Sequence, residues 1–158
     1  MAKPNLSRAD AVIVALLQKN TRISNRELAR AAGIAESTCL DRVRSLERRG
    51  VIAGYHAEID LPAVGPSVRA LINVRLQPKT TESVRSFQHD VLPARETLSV
   101  RTVSGADDFI VEVAVSDVHQ LEAFVLDVIT SRHDVVDTRT SLVYEHQRNQ
   151  VMEPLPTD

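Results

Sequence analysis

Between residues 7 and 50 the apolar side chains recur at helical spacing, interrupted by polar signals where helices begin and end. Ser7 followed by Asp10 has the form of an N-cap with an acidic partner, and Ile13, Leu16 and Leu17 then fall at i, i+3 and i+4, which predicts a helix over about 8–19. Asn20-Thr21-Arg22 breaks that pattern. Ser24 and Glu27 form a capping box, predicting a second helix to about Ala32 with Leu28 and Ala31 facing in, and Gly33 suits a left-handed helix terminus. A third helix is expected from about Glu36 to Arg49. On a helical wheel, Cys39, Leu40, Val43, Leu46 and the stem of Glu47 lie on one side, and Ser37, Thr38, Asp41, Arg44, Ser45 and Arg48 on the other.

Two helices joined through a glycine turn, with the second polar and basic on its outer face, are the layout of a helix-turn-helix. After Gly50 the period changes to two, and Val51 to Ile59 are expected to form two short strands around Gly54, a β-wing beside the helices. Asp60 to Pro66 carries two prolines and a glycine, the expected boundary. The predicted organisation is a reader at 1–60, a linker at 61–66, a second domain at 67–147 and a mobile tail at 148–158.

In the second half, Val68, Ala70, Ile72, Val74 and Leu76 alternate with Arg69, Asn73 and Arg75, as in a strand with one buried face. Thr80 or Thr81 caps a helix bearing Val84, Phe87, Val91 and Leu92, stopped by Pro93. Strands follow from about Thr97 to Val103 and from Phe109 to Val115, around a turn at Ser104 to Asp108. Ser116-Asp117 caps a helix with a stripe of Leu121, Phe124, Val125, Val128 and Ile129, and a last strand runs from about Val135 to Tyr144. The order βαββαβ is the ferredoxin-like arrangement, so the expected class is α+β, a winged helix-turn-helix joined to a ferredoxin-like domain.

The net charge of −2 conceals an asymmetry: residues 1–60 hold ten Lys/Arg against seven Asp/Glu, and residues 61–158 hold nine against fourteen, giving +3 and −5. A basic half and an acidic half suggest separate tasks, the basic one toward nucleic acid. One cysteine excludes an internal disulfide framework. The longest apolar run, Ala11 to Leu17, is far short of the roughly 20 residues that span a bilayer. The opening residues lack a signal peptide's apolar core, which predicts a cytoplasmic protein without a membrane partner.

Guanidinium groups can bond two base acceptors or clamp a phosphate, so Arg44 and Arg48 are the first candidates for DNA contact, with Ser37, Thr38, Asp41 and Ser45 beside them. Arg22 and Arg26 flank the start of the second helix and are candidates for positioning on the backbone. A solvated face with Asp41 pairing Arg44 or Arg48 is the alternative. Cys39 reads as a buried small hydrophobe, and the five histidines show no metal-ligand spacing, so no metal or cofactor is expected. Asp107 and Asp108 are neighbours whose side chains point apart, a better match to turn capping or an ammonium partner than to a catalytic pair. A nucleophile with its base, a phosphate loop and a metal cluster are all missing from the pattern, which argues against an enzyme. The rival is a ferredoxin-like sensor whose helices only mediate interaction.

Several segments together resemble the Lrp/AsnC (feast/famine) family of transcriptional regulators: Arg22 to Ala29, Cys39 to Ile52, Gly54-Tyr55, Val103-Ser104-Gly105, and Asp137-Thr138-Arg139-Thr140. The resemblance covers about Leu6 to His146. It implies a DNA-binding reader and a C-terminal domain that dimerises through its sheet, assembles into tetramers or octamers, and binds an amino-acid effector between dimers near the glycine-containing turn. Carried onto this sequence, that site comprises Ser104, Gly105, Ala106, Asp107 and Asp108, with hydroxyls from Thr138 and Thr140. The chain departs from the family in having Ala106 and Asp107 where Asp and Phe are usual, and Ala35 where Ser commonly caps the recognition helix.

Overall fold

A computed structural model describes residues 6–153; residues 154–158 of the expected tail lie outside the described residues. The chain divides into two compact units, one made of residues up to 57 together with those from 147 onward, the other of residues 58–146.

The first unit holds α1 (Arg8–Lys19), α2 (Asn25–Ala32) and α3 (Glu36–Arg48). Their starts follow local chemistry. The Asp10 N–H donates to Ser7 Oγ at 3.2 Å while the Ser7 N–H donates to the Asp10 carboxylate at 3.0 Å, and Ser24 and Glu27 repeat the exchange at α2. Gly33 closes α2 at φ +67°, a conformation that penalises any residue with a Cβ, and the Ile34 N–H then donates to Ala29 O. Ile13, Leu17, Leu28, Ala29, Cys39 and Leu46 form the core.

Two inward assignments need correction. Ala29, not Ala31, is buried on α2: the packed arc runs from Leu28 through Ala32 to Ala29, about 100° wide, and leaves Ala31 outside. On α3 the fully buried side chains are Cys39 and Leu46, whereas Leu40 is 41% exposed and Glu47 is exposed, both on the rim of that arc.

The expected wing strands do not form within the chain. Val51 and Ile52 pack on the helical core, their N–H groups donating to Leu46 O, and residues 53–60 continue as exposed coil. Alternation alone makes no strand when no neighbouring segment supplies a ladder. Tyr55 instead donates its hydroxyl to Glu47 at 2.9 Å. The tail also departs from expectation. Gln18 on α1 donates from Nε2 to Met152 O at 3.1 Å and accepts from the Met152 N–H at 2.8 Å, and residues from 147 onward group with the helices.

In the second unit Pro62–Val64 make one 3₁₀ turn, followed by β1 (Val68–Leu76), α4 (Thr81–Val91), β2 (Thr97–Thr102), β3 (Phe109–Val115), α5 (Val118–Phe124) and β4 (Val135–Leu142). The sheet order is β2-β3-β1-β4, antiparallel throughout. Thr80, not Thr81, caps α4. Ala70, Ile72, Val74 and Leu76 alternate into the core against Phe109, Val111, Val113 and Val115, with Phe87 stacked on Phe109 at 4.4 Å between ring centroids. Leu92, expected on the apolar face of α4, lies one residue beyond the helix and is 56% exposed. After Phe124 the helix widens into a π-helical segment, Val125–Thr130. That winding carries Ile129, five residues on, into the core beside Phe124, while Val125 and Val128 stay half-buried.

Candidate functional site

The candidate reading face lies on α3, which local sequence starts weakly and long-range contacts hold firmly. Ala35 occupies the N-cap with extended backbone and offers no side-chain acceptor. Asn25 of α2 ties this start to the second helix by donating Nδ2 to Glu36 O at 2.8 Å, a bond that holds α3 in place but supplies no acceptor to its first-turn N–H groups. Arg42 anchors α3 to α1: its guanidinium lies 3.0 Å from Asp10 and donates to Ser7 Oγ at 3.1 Å. Burial opposes the Asp10 charge, yet the Ser7 and Arg42 donors hold its carboxyl below the usual range. One arginine of the basic run is therefore structural.

Arg44 and Arg48 are exposed one turn apart, in line with Ser37 and Asp41, and Thr38 is exposed in the same first turn. Among the described residues, no ion pair or hydrogen bond ties the side chain of Arg44, Arg48 or Asp41, so the self-neutralised face does not form. Ser45 is half-buried at the edge. Arg22 and Arg26 are exposed at the entrance to α2. Burial pushes the Cys39 thiol pKa up, away from reactivity.

In the second unit the turn between β2 and β3 closes through the Val103 N–H donating to Asp108 O and the Asp108 N–H donating to Val74 O, both at 2.9 Å. Ser104, Gly105 and Ala106 form an exposed tip, with Gly105 at φ +125°. The two aspartates are not open groups. Asp107 accepts from Asn73 Nδ2 at 2.6 Å and from Arg139 at 2.5 Å; the Asn73 bond, opposed by partial burial and aided by Arg139, keeps its carboxyl below the usual range. Asp108 is 5% exposed, accepts from the Leu76 N–H at 2.8 Å and pairs with Lys79 at 2.5 Å. Burial works against its ionisation, and Lys79 and the Leu76 N–H overcome it.

Register decides which of the remaining candidates converge. Val74 pairs with Phe109 on one side and Thr138 on the other, so Thr138 lies at the turn's end of the sheet, with Thr140 farther along opposite Ile72. Both threonines share the helix-facing side with Val74 and Ile72. Asn73 and Arg139 stand opposite each other on the other face, where they hold Asp107. The expected set is therefore split between two faces within one chain.

Asn73, Lys79 and Arg139 were missed as site residues. Their signal was present only as polar positions on β1 and β4 and, for Lys79, in the loop after β1, and the pairing that makes them matter spans more than 25 residues in each case. On the same open face Glu112, 6% exposed, is clamped by Arg69 and Arg101 and accepts from Ser99. Its burial is outweighed by these donors, so its carboxyl also sits below its usual range.

Residues 6–53 match the winged helix-turn-helix DNA-binding model, and residues 69–151 match the Lrp/AsnC ligand binding domain. The chain is 41% identical over 143 residues to the HTH-type transcriptional regulator AldR of Mycobacterium tuberculosis, covering 90% of this chain and 80% of that protein. It is 32% identical to the leucine-responsive regulatory protein of Escherichia coli K12, over 89% and 86% of the two chains. Among solved structures, a transcriptional regulator from Neisseria meningitidis in complex with L-Met superposes with a TM-score of 0.84 at 29% identity, covering 96% of this chain and 97% of that one. Escherichia coli AsnC, at 19% identity and a TM-score of 0.84, shares the fold. These relatives are regulators rather than enzymes, and the chain belongs with them to the Lrp/AsnC family of transcriptional regulators, reading DNA through its helix-turn-helix and carrying the family's ligand-binding domain.

Proposed function

We propose that the chain acts in the cytoplasm as a homodimer, assembling further into tetramers or octamers, whose paired α3 helices read successive major grooves and whose DNA binding responds to an amino acid. The observation that carries the DNA assignment is the division among the α3 arginines: Arg42 is committed to Asp10, whereas Arg44 and Arg48 are exposed and unengaged on one face. Ser37, Thr38, Asp41 and Ser45 border that face, and Arg22 and Arg26 are placed to meet phosphates.

The effector reading rests on the ligand-binding domain match and on the L-Met complex of the Neisseria relative. The tip from Ser104 to Ala106 supplies backbone to an amino acid's charged ends, with Thr138 and Thr140 adding hydroxyls. Asp107 and Asp108 shape the turn through Asn73, Arg139, Lys79 and Leu76. Because the threonines and the Asp107 cluster occupy opposite faces, a second copy of the domain completes the site, and ligand binding shifts how dimers pack.

Electrophoretic mobility shift on the DNA upstream of the chain's own gene tests the first part. Arg44→Ala and Arg48→Ala should each weaken binding by about 1–3 kcal/mol if a base contact is lost. Unchanged binding by both variants rejects the reading face. A thermal-shift screen of the twenty amino acids, with sedimentation of any that raises the midpoint, tests the second part.

A further inference from the structure

The contact between Gln18 and Met152 joins positions 134 apart in the sequence. A primary amide carries one donor and one acceptor side by side, the complement of the N–H and C=O that a single extended residue presents. Gln18 engages both, and its Nε2 also lies 3.3 Å from Val14 O one turn back, which fixes the amide on the helix surface. The Met152 side chain is 70% exposed, so the docking depends on backbone and not on the side chain. The approaching chain is shaped by Asn149, whose Oδ1 accepts from the Val151 N–H at 3.2 Å, and Val151 is half-buried.

We infer that Gln18 is a docking site for the chain's own C-terminal segment, and that this strap fastens the end of the ligand-binding domain to the first helix of the reader. The chain leaves the reader after residue 57 and returns to it at 147, so residues 58–146 are secured at both ends. Two hydrogen bonds are weak between separate molecules, but here the partner is covalently supplied at high local concentration. Residues 143–152, without helix or strand, join this contact to the end of β4, the strand bearing Thr138 and Thr140. The inferred coupling is that a shift of β4 reaches α1 through this tail as well as through the linker. This coupling rests on the effector reading above; the docking itself does not.

Two measurements on the full chain separate these statements. In a Gln18→Cys/Met152→Cys variant treated with a short bismaleimide, the expected product runs at monomer mass on a denaturing gel but faster than the untreated chain, because the cross-link closes a loop. A dimer-mass product, or none, overturns the docking in cis. Next, the fold-change in DNA affinity produced by the amino acid found in the thermal screen is compared among the unaltered chain, Gln18→Ala, and a chain ending at Gln147. The strap predicts that both variants bind DNA and the amino acid within about twofold of the unaltered chain while the fold-change drops by half or more. An undiminished response in both variants overturns the coupling. If no amino acid alters DNA binding by the unaltered chain, the effector reading fails and the coupling with it, while the cross-link still decides the docking.

Discussion

Asp108 is ionised where water is scarce, and its chemistry sets the behaviour of the turn. Its folded pKa lies below the ordinary aspartate value of about 3.9. The ionised form therefore contributes stability above the unfolded pKa and loses it as pH falls through the folded pKa. Glu112 behaves the same way from the ordinary glutamate value downward, held by Arg101 and Arg69. The thermal midpoint of the protein should fall as pH is lowered through the carboxylate range, and calorimetry on Asp108→Asn and Glu112→Gln should show a shallower fall in each. Asp108→Ala leaves the buried Leu76 N–H without its acceptor, which costs about 1–3 kcal/mol. Lys79 is half exposed, and its loss as a partner adds little. An Asp108→Ala variant with unchanged midpoint would refute this account of the turn.

Among the elements, α3 begins without the cap that α1, α2, α4 and α5 each possess. Ala35 already has the extended backbone of a capping residue, so Ala35→Ser should raise stability by about 1 kcal/mol, read as a higher denaturation midpoint with an unchanged m-value. An unchanged midpoint in Ala35→Ser would refute the reading of α3 as an uncapped helix. The capping boxes explain why helix starts were legible in the sequence: Ser7 with Asp10 and Ser24 with Glu27 act across three residues. The strands of the second domain were legible for the same reason, since alternation from Val68 to Leu76 records one buried face. What was not legible depends on distant partners. Alternation after Gly50 suggested strands, but among the described residues no segment pairs there. Asp107 and Asp108 looked available because Asn73, Arg139 and Lys79 reach them across strand pairings that spacing does not reveal. Gln18 was an unremarked polar position on the outer face of α1.

At the scale of the molecule, a reader with a balance of only +3 depends on being presented more than once. In the proposed homodimer, two copies related by a twofold axis must meet one face of the duplex, so half-sites should lie about one helical turn apart. Inserting about five base pairs between half-sites rotates one copy to the far side and should reduce affinity at least tenfold in a gel shift, whereas inserting about ten should restore most of it. Equal affinity for all spacings would show that each copy binds by itself. The discontinuous make-up of the reader has a consequence in time as well. A ribosome delivers α1, α2 and α3 first and Met152 only after every strand of the sheet has been made, so the contact at Gln18 forms after the sheet has been synthesised. Truncated or stalled chains that already present a folded helix-turn-helix lack that fastening. A chain that stops before residue 147 therefore carries α1, α2 and α3 but only part of the compact unit to which they belong.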